Sequence, residues 1–153
     1  MHLERYEFEV KENRYDFYSQ GPEGRIKKAV LYKRLSALQP LYALSFGDWR
    51  EETNRIDDRV VSNNGDRQKI LATVAATVFD FANRNPEAFI FAVGSTPSRT
   101  RLYQMNIASY LTTIQALFEV DGLFRTGWQS FQIGYNYSAF LLRPRNFLSL
   151  QLQ

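Results

Sequence analysis

The chain has 153 residues, of which 44% are hydrophobic and 15% aromatic, and its 19 Lys+Arg against 16 Asp+Glu give a net charge of +3. That length accommodates one domain with a real core, and the 12 Phe and 9 Tyr argue against disorder. No cysteine is present and the single histidine is His2, which excludes disulfides, thiol catalysis, cysteine-held metals and histidine-based triads.

No apolar run reaches the roughly 18 residues that a membrane span needs. The start, MHLERYEFEV, alternates charged and apolar residues and lacks the apolar core of a signal peptide, so a cytoplasmic location is expected. A pI near 9.2 is compatible with a polyanionic partner without requiring one. The distribution says more than the total. Arg25, Lys27, Lys28, Lys33 and Arg34 fall in an acid-free segment, whereas Asp48, Glu51, Glu52, Asp57 and Asp58 cluster further on.

Residues 6–10 and 15–19 read as short strands, because aromatic and β-branched residues alternate there with charge. Residues 20–24 (QGPEG) form a turn, and 26–35 reads as a strand paired back across it, its basic side chains largely on the open face. Residues 41–46 (LYALSF) form a further strand ended by Gly47-Asp48; 49–54 is loop-like and 56–61 returns as a short strand. Residues 62–65 (SNNG) are a tight turn, since Asn and Gly tolerate positive φ. From Asp66 the period changes. Ile70, Leu71, Val74, Ala75, Val78, Phe79 and Ala82 recur at three and four residues, so 66–85 is an amphipathic helix with Asp66 as N-cap, stopped by Pro86.

Residues 89–93 (FIFAV) are a buried strand ending at Gly94. Thr96 suits the N-cap of a second helix, and Pro97 its first position, where no backbone donor is needed. Leu102, Tyr103, Ile107, Tyr110, Leu111, Ile114, Leu117 and Phe118 carry that helix to about residue 118. A strand over 118–124 is expected to break at Asp121-Gly122. Residues 128–133 and 137–142 read as a final strand pair around Gly134, and 143–145 ends the ordered core. The expected fold is α+β: one domain over residues 1–145 with a twisted, mainly antiparallel sheet, two long helices packed on it, and a tail or late docking segment over 146–153.

The residues with the clearest chemistry lie in GSTPSRTRLY, 94–103. Strand, glycine turn and helix N-terminus together form an arrangement that can hold an anion. A cation in the first turn of a helix opposes the dipole by about 0.3–1 kcal/mol, so Arg99 and Arg101 make best sense beside negative charge. That charge is either a bound phosphate or a carboxylate of the chain itself. Helical angle separates the two arginines, placing Arg99 near the line of Leu102, Tyr103 and Asn106 and Arg101 on another face. Ser95, Thr96, Ser98, Arg99, Arg101 and Tyr103 are the candidate ligand residues here. Asn63, Asn64 and Arg67 join them if the two helix starts share one edge of the sheet. Asp66 would then be the candidate catalytic base, against the plainer reading of an Asn-Gly turn followed by an Asp N-cap.

Other features are weaker. Asp57 and Asp58 with Asp48 and Glu51 offer a divalent-metal cluster, but adjacent loop carboxylates are usually solvated charge, and no metal or cofactor is expected. The basic 25–34 segment with Tyr32 suits nucleic-acid phosphates, although lysines also protect exposed strand edges.

The runs LSFGD, DDRVVSNNGDRQKILATVA and GSTPSRTRLYQ resemble an uncharacterised family, one of the numbered domains of unknown function of bacteria, mainly Bacteroidetes. The resemblance implies a small bacterial cytoplasmic protein and brings no activity. The sequence therefore favours a binding module for a phosphate-bearing ligand, nucleic acid or nucleotide, at a helix N-terminus. The alternatives are a phosphate-directed hydrolase or transferase using Asp66 and the arginines, and a protein partner in a toxin–antitoxin-like or phage-defence pair. Oligomeric state is left open.

Overall fold

Residue alternation and tight turns bring the first four strands into an antiparallel meander. The computed structural model describes residues 4–57 and 62–145. In it β1 (Glu9–Lys11), β2 (Arg14–Gly21), β3 (Gly24–Arg34) and β4 (Leu41–Arg50) pair in sequence order, and a short β5 (Arg55–Asp57) folds back on the end of β4. Helix α1 (Arg67–Arg84) then leads to β6 (Phe89–Ala92), which lies parallel to β4. Helices α2 (Pro97–Ser109) and α3 (Leu111–Gln115) precede β7 (Phe118–Phe124), β8 (Gly127–Ser130) and β9 (Phe140–Pro144). All nine strands among the described residues belong to one sheet of order β1-β2-β3-β4-β6-β9-β7-β8, with β5 beside β4. The expected α+β class, a mainly antiparallel sheet carrying two long helices, is the observed one.

The core lies between the sheet and α1 and α2. Period-two residues of β2 to β4 (Tyr15, Phe17, Val30, Tyr32, Tyr42, Leu44) meet Ile70, Val74, Val78 and Phe81 of α1, whose spacing of three and four places them on one face. Tyr32 stacks on Phe81 with ring centroids 4.1 Å apart, and its hydroxyl pairs with that of Thr77. Tyr15 donates to Asp80 at 2.7 Å. Each buried phenol thus meets a polar partner on the helix, as burial requires. Burial pushes the pKa of both phenols far above its ordinary value, and for Tyr15 the bond to Asp80 adds to it.

Four expectations about the elements need correction. β4 does not end at Gly47-Asp48 but runs through them to Arg50. Gly47 is there because a Cβ would lie 2.7 Å from the Ile56 side chain and 2.8 Å from the Arg99 guanidinium. β7 likewise passes unbroken through Asp121-Gly122, where the missing Cβ admits the Tyr137 ring, 2.5 Å from its ideal position. The second long helix breaks at Tyr110, whose angles (φ −117°, ψ 22°) are not helical. Finally, β8 and β9 do not pair with each other. β8 forms a hairpin with β7, and β9 lies between β6 and β7, while Phe131 and Tyr137 of the intervening loop are buried. Residues 58–61 of the expected short strand and the expected tail, 146–153, lie outside the described residues.

Candidate functional site

The two helix starts do not face one another. The start of α1 opens into a cleft against β3, β4 and the middle of α2, whereas the start of α2 opens into a groove against the 136–138 loop. The candidate residues divide accordingly. Asn63, Asn64, Asp66, Arg67 and Tyr103 line the first; Ser95, Thr96 and Arg101 line the second. Arg99 lines a smaller recess next to the first, and Ser98 is exposed and lines neither.

Arg99 turns inward, as the helical angle implies, and is 5% exposed. Its two terminal nitrogens donate to the backbone carbonyls of Phe46 at 2.7 Å and Asp57 at 2.6 Å. Tyr103, one turn on, accepts the Phe46 N–H at 3.0 Å, and burial raises its pKa. These two residues hold α2 to the β4–β5 end of the sheet. Arg99 is a structural clamp and does not face the groove.

Arg101 has the opposite setting. It is exposed and forms no hydrogen bond or ion pair among the described residues. Thr96 caps α2 as expected, accepting from Arg99 N–H at 3.2 Å, and the first turn contains no acid. Gly94 precedes the cap because the chain passes so close to α2 that a Cβ would lie 2.3 Å from the Thr100 nitrogen. The far wall is fixed by Gln104, which donates to the Tyr135 carbonyl at 2.6 Å and accepts from Tyr137 N–H at 2.9 Å. The groove so formed encloses about 500 Å³. Asn136 and Ser138 also line a second groove of about 510 Å³, which extends to Arg125 and Thr126 at the β7–β8 turn. Ser95, Thr96, Thr100, Thr126 and Ser138 supply hydroxyls, and no Asp or Glu lines either groove among the described residues. Tyr135 stands 42% exposed nearby, its ring 5.4 Å from Phe124.

In the α1 cleft most candidates serve the fold. Asn64 is 2% exposed; its amide donates to Ser19 Oγ and the Gly24 carbonyl, and its oxygen accepts from Glu23 N–H at 2.7 Å. Asn63 accepts from Gly65 N–H within the turn. Asp66 holds the N-cap position of α1 without capping it. Its Oδ2 instead accepts from Tyr6 and Ser19, each at 2.5 Å, which corrects the N-cap reading. Burial, and then the bond to Asp66, raises the Tyr6 pKa. Arg67 is exposed and has no partner among the described residues.

In the basic hairpin Arg25, Lys33 and Arg34 are exposed, whereas Lys27 and Lys28 are paired with acids. Lys27 pairs with Glu51 at 2.8 Å, Arg25 lies 3.7 Å over the Tyr18 ring, and Arg34 donates to the Ser36 carbonyl. Lys28 is buried and paired with Asp48 at 2.5 Å, and the Ser62 hydroxyl donates to the other Asp48 oxygen. Asp48 and Glu51 are thus engaged by lysines and Asp57 by Arg50, and no cluster that could hold a metal forms among the described residues. Sequence reasoning missed this buried pair. Its signal was the alternation Lys28, Val30, Tyr32 opposite Leu44, Phe46, Asp48, which sets both charges on the helix-facing side and directly across from each other in register.

No helix among the described residues is long and apolar enough to cross a membrane. No curated protein and no solved structure matches the sequence. A family model does match, over residues 2–145, and by it the chain belongs to a family of unknown function, DUF6934.

Proposed function

We propose that the chain is a binding module for phosphate-bearing ligands and takes single-stranded nucleic acid along the two joined grooves beside α2. The observation that carries this is the composition of their walls. Arg101 lines one groove and Arg125 the other, hydroxyls and amides accompany them, and no carboxylate is among the described lining residues. A continuous acid-free path through both grooves suits a chain of phosphates better than a single one, and Tyr135 offers a ring on which a base can stack. A phosphate-directed hydrolase is less well supported, because Asp66 lies in the separate cleft with one oxygen engaged by two hydroxyls.

The test is fluorescence anisotropy with a labelled eight-nucleotide oligothymidylate at several salt concentrations. Two arginine–phosphate contacts give a slope of log K against log salt near about −1.4, roughly a sevenfold loss between 50 and 200 mM. Arg101→Ala should weaken binding and flatten that slope. Absence of binding at 50 mM salt, or an affinity indifferent to Arg101→Ala, overturns the proposal. Binding of a mononucleotide as tight as that of the oligomer would restrict the site to a single phosphate.

A further inference from the structure

Among the described residues the sheet ends at β1 on one side and at β8 on the other. β1 is three residues long and carries Glu9 and Lys11, and β5, beside β4, carries Arg55 and Asp57. Charge on an edge strand discourages pairing with another chain. β8 (GWQS) carries none. Its neighbours fix where its main-chain groups point, because successive residues of an antiparallel pair turn alternately toward and away from the partner strand. Phe131 N–H donates to the Val120 carbonyl, so that pair faces inward. Leu123 instead donates to Ala139 and accepts from Ser138, which turns it toward the β9 side. By the same alternation Asp121 turns that way too. Trp128 and Ser130 lie opposite Leu123 and Asp121 in register, so each directs an N–H and a carbonyl out of the sheet edge. None of these groups bonds to another described residue. The Trp128 side chain is 48% exposed, its ring 6.3 Å from that of Phe91 on the face away from the core residues Ile90 and Ala92.

We infer that a second copy of this chain pairs at this edge, β8 against β8, antiparallel about a two-fold axis at Gln129. In that register Trp128 of one copy lies opposite Ser130 of the other, and the two exchange both N–H···O=C bonds. Symmetry repeats the exchange, so every outward group of both strands is answered. A shift of two residues either way sets one of the pairs outside β8. An isologous contact also brings each residue near its own counterpart, so a charged edge repels itself. Among the strand edges named above, β8 alone is free of that cost. The two Trp128 rings become diagonal neighbours on the face away from the helices, within reach of one another.

The experiment is sedimentation velocity of the full chain, without nucleic acid, from about 5 to about 500 µM. Four hydrogen bonds fall below the roughly ten of a typical interface, so association in the micromolar range is expected. The sedimentation coefficient should climb from monomer to dimer and stop there. Ser130→Pro removes an outward N–H that β7 does not use, a position where an edge strand tolerates proline. Trp128→Lys brings two ammonium groups together across the axis. Each should raise the dissociation constant at least tenfold. Cysteines test the register, since the chain has none of its own. Gln129→Cys sets two thiols across the axis with Cα atoms about 4.5 Å apart, within the range of a disulfide. It should oxidise to a covalent dimer at least tenfold faster than Thr53→Cys, exposed in the β4–β5 turn. A chain still monomeric at the highest concentration overturns the inference and leaves this edge to a strand of a different protein. A dimer that survives both substitutions, or Gln129→Cys cross-linking no faster than Thr53→Cys, overturns it as well by placing the contact elsewhere.

Discussion

The cleft under α1 and the groove at the start of α2 draw on the same residue types and use them in opposite ways. In the cleft and its recess, Lys28 meets Asp48, Arg99 meets the carbonyls of Phe46 and Asp57, and Asn64 meets the β2–β3 turn. In the groove Arg101 meets nothing the described chain supplies, although only Thr100 separates it from Arg99. A charged residue in a first helical turn therefore does not by itself identify a ligand site. What matters is which face of the helix it occupies, because that decides whether the protein's own backbone reaches it first.

Substitutions can break this comparison. The largest effect is expected for Lys28→Met, which leaves the Asp48 carboxylate buried with Ser62 alone. A loss of about 3–5 kcal/mol in urea denaturation is expected, largely recovered when Asp48→Leu is added. If Lys28→Met were neutral, the cleft charges would not be structural. Arg99→Met removes the bonds to the Phe46 and Asp57 carbonyls from a buried guanidinium and should cost about 2–3 kcal/mol by the same measurement. Arg101→Ala should stay within about 0.5 kcal/mol of the parent in stability, its effect confined to nucleic-acid binding. Equal effects at the two positions would erase the distinction drawn between them.

Alkaline pH sharpens the contrast from the other side. The phenols of Tyr15, Tyr32 and Tyr103 all have pKa values raised by burial between sheet and helices. In the unfolded chain they ionise near about pH 10. A raised folded pKa means that their contribution to stability is complete below that value and is lost as pH climbs toward the folded one. Denaturation midpoints should hold up to about pH 9 and then fall. Phenolate absorbance should show fewer tyrosines titrating in the folded chain than in the unfolded one.

Much of this arrangement was legible in the sequence. The three-and-four spacing from Ile70 to Ala82 and the Thr96-Pro97 start of α2 depend on local rules, and both elements form as expected, although Phe81, absent from that pattern, is the phenylalanine of α1 buried in the core. The division of Arg99 from Arg101 followed from helical angle alone. Long-range pairing was not legible. The glycines at 47 and 122 read locally as strand ends, yet each accommodates a side chain from elsewhere in the chain, Arg99 and Tyr137. The position of β9 between β6 and β7 is a matter of topology that no local pattern encodes. Gln104, Asn136, Ser138 and Arg125 escaped notice as groove residues for the same reason, since only the folded sheet brings the β7–β8 turn beside α2.

Asn64 ties three parts of the chain through one side chain, and the Asn64 backbone oxygen would lie 1.9 Å from a Cβ at Gly21. The β2–β3 hairpin tip and the lead-in to α1 are consequently expected to open together rather than in turn. In native-state hydrogen exchange, the amide protons of Glu23 and of the first turns of α1 should share a single opening free energy. Asn64→Ala should uncouple them, giving two rates where the parent gives one.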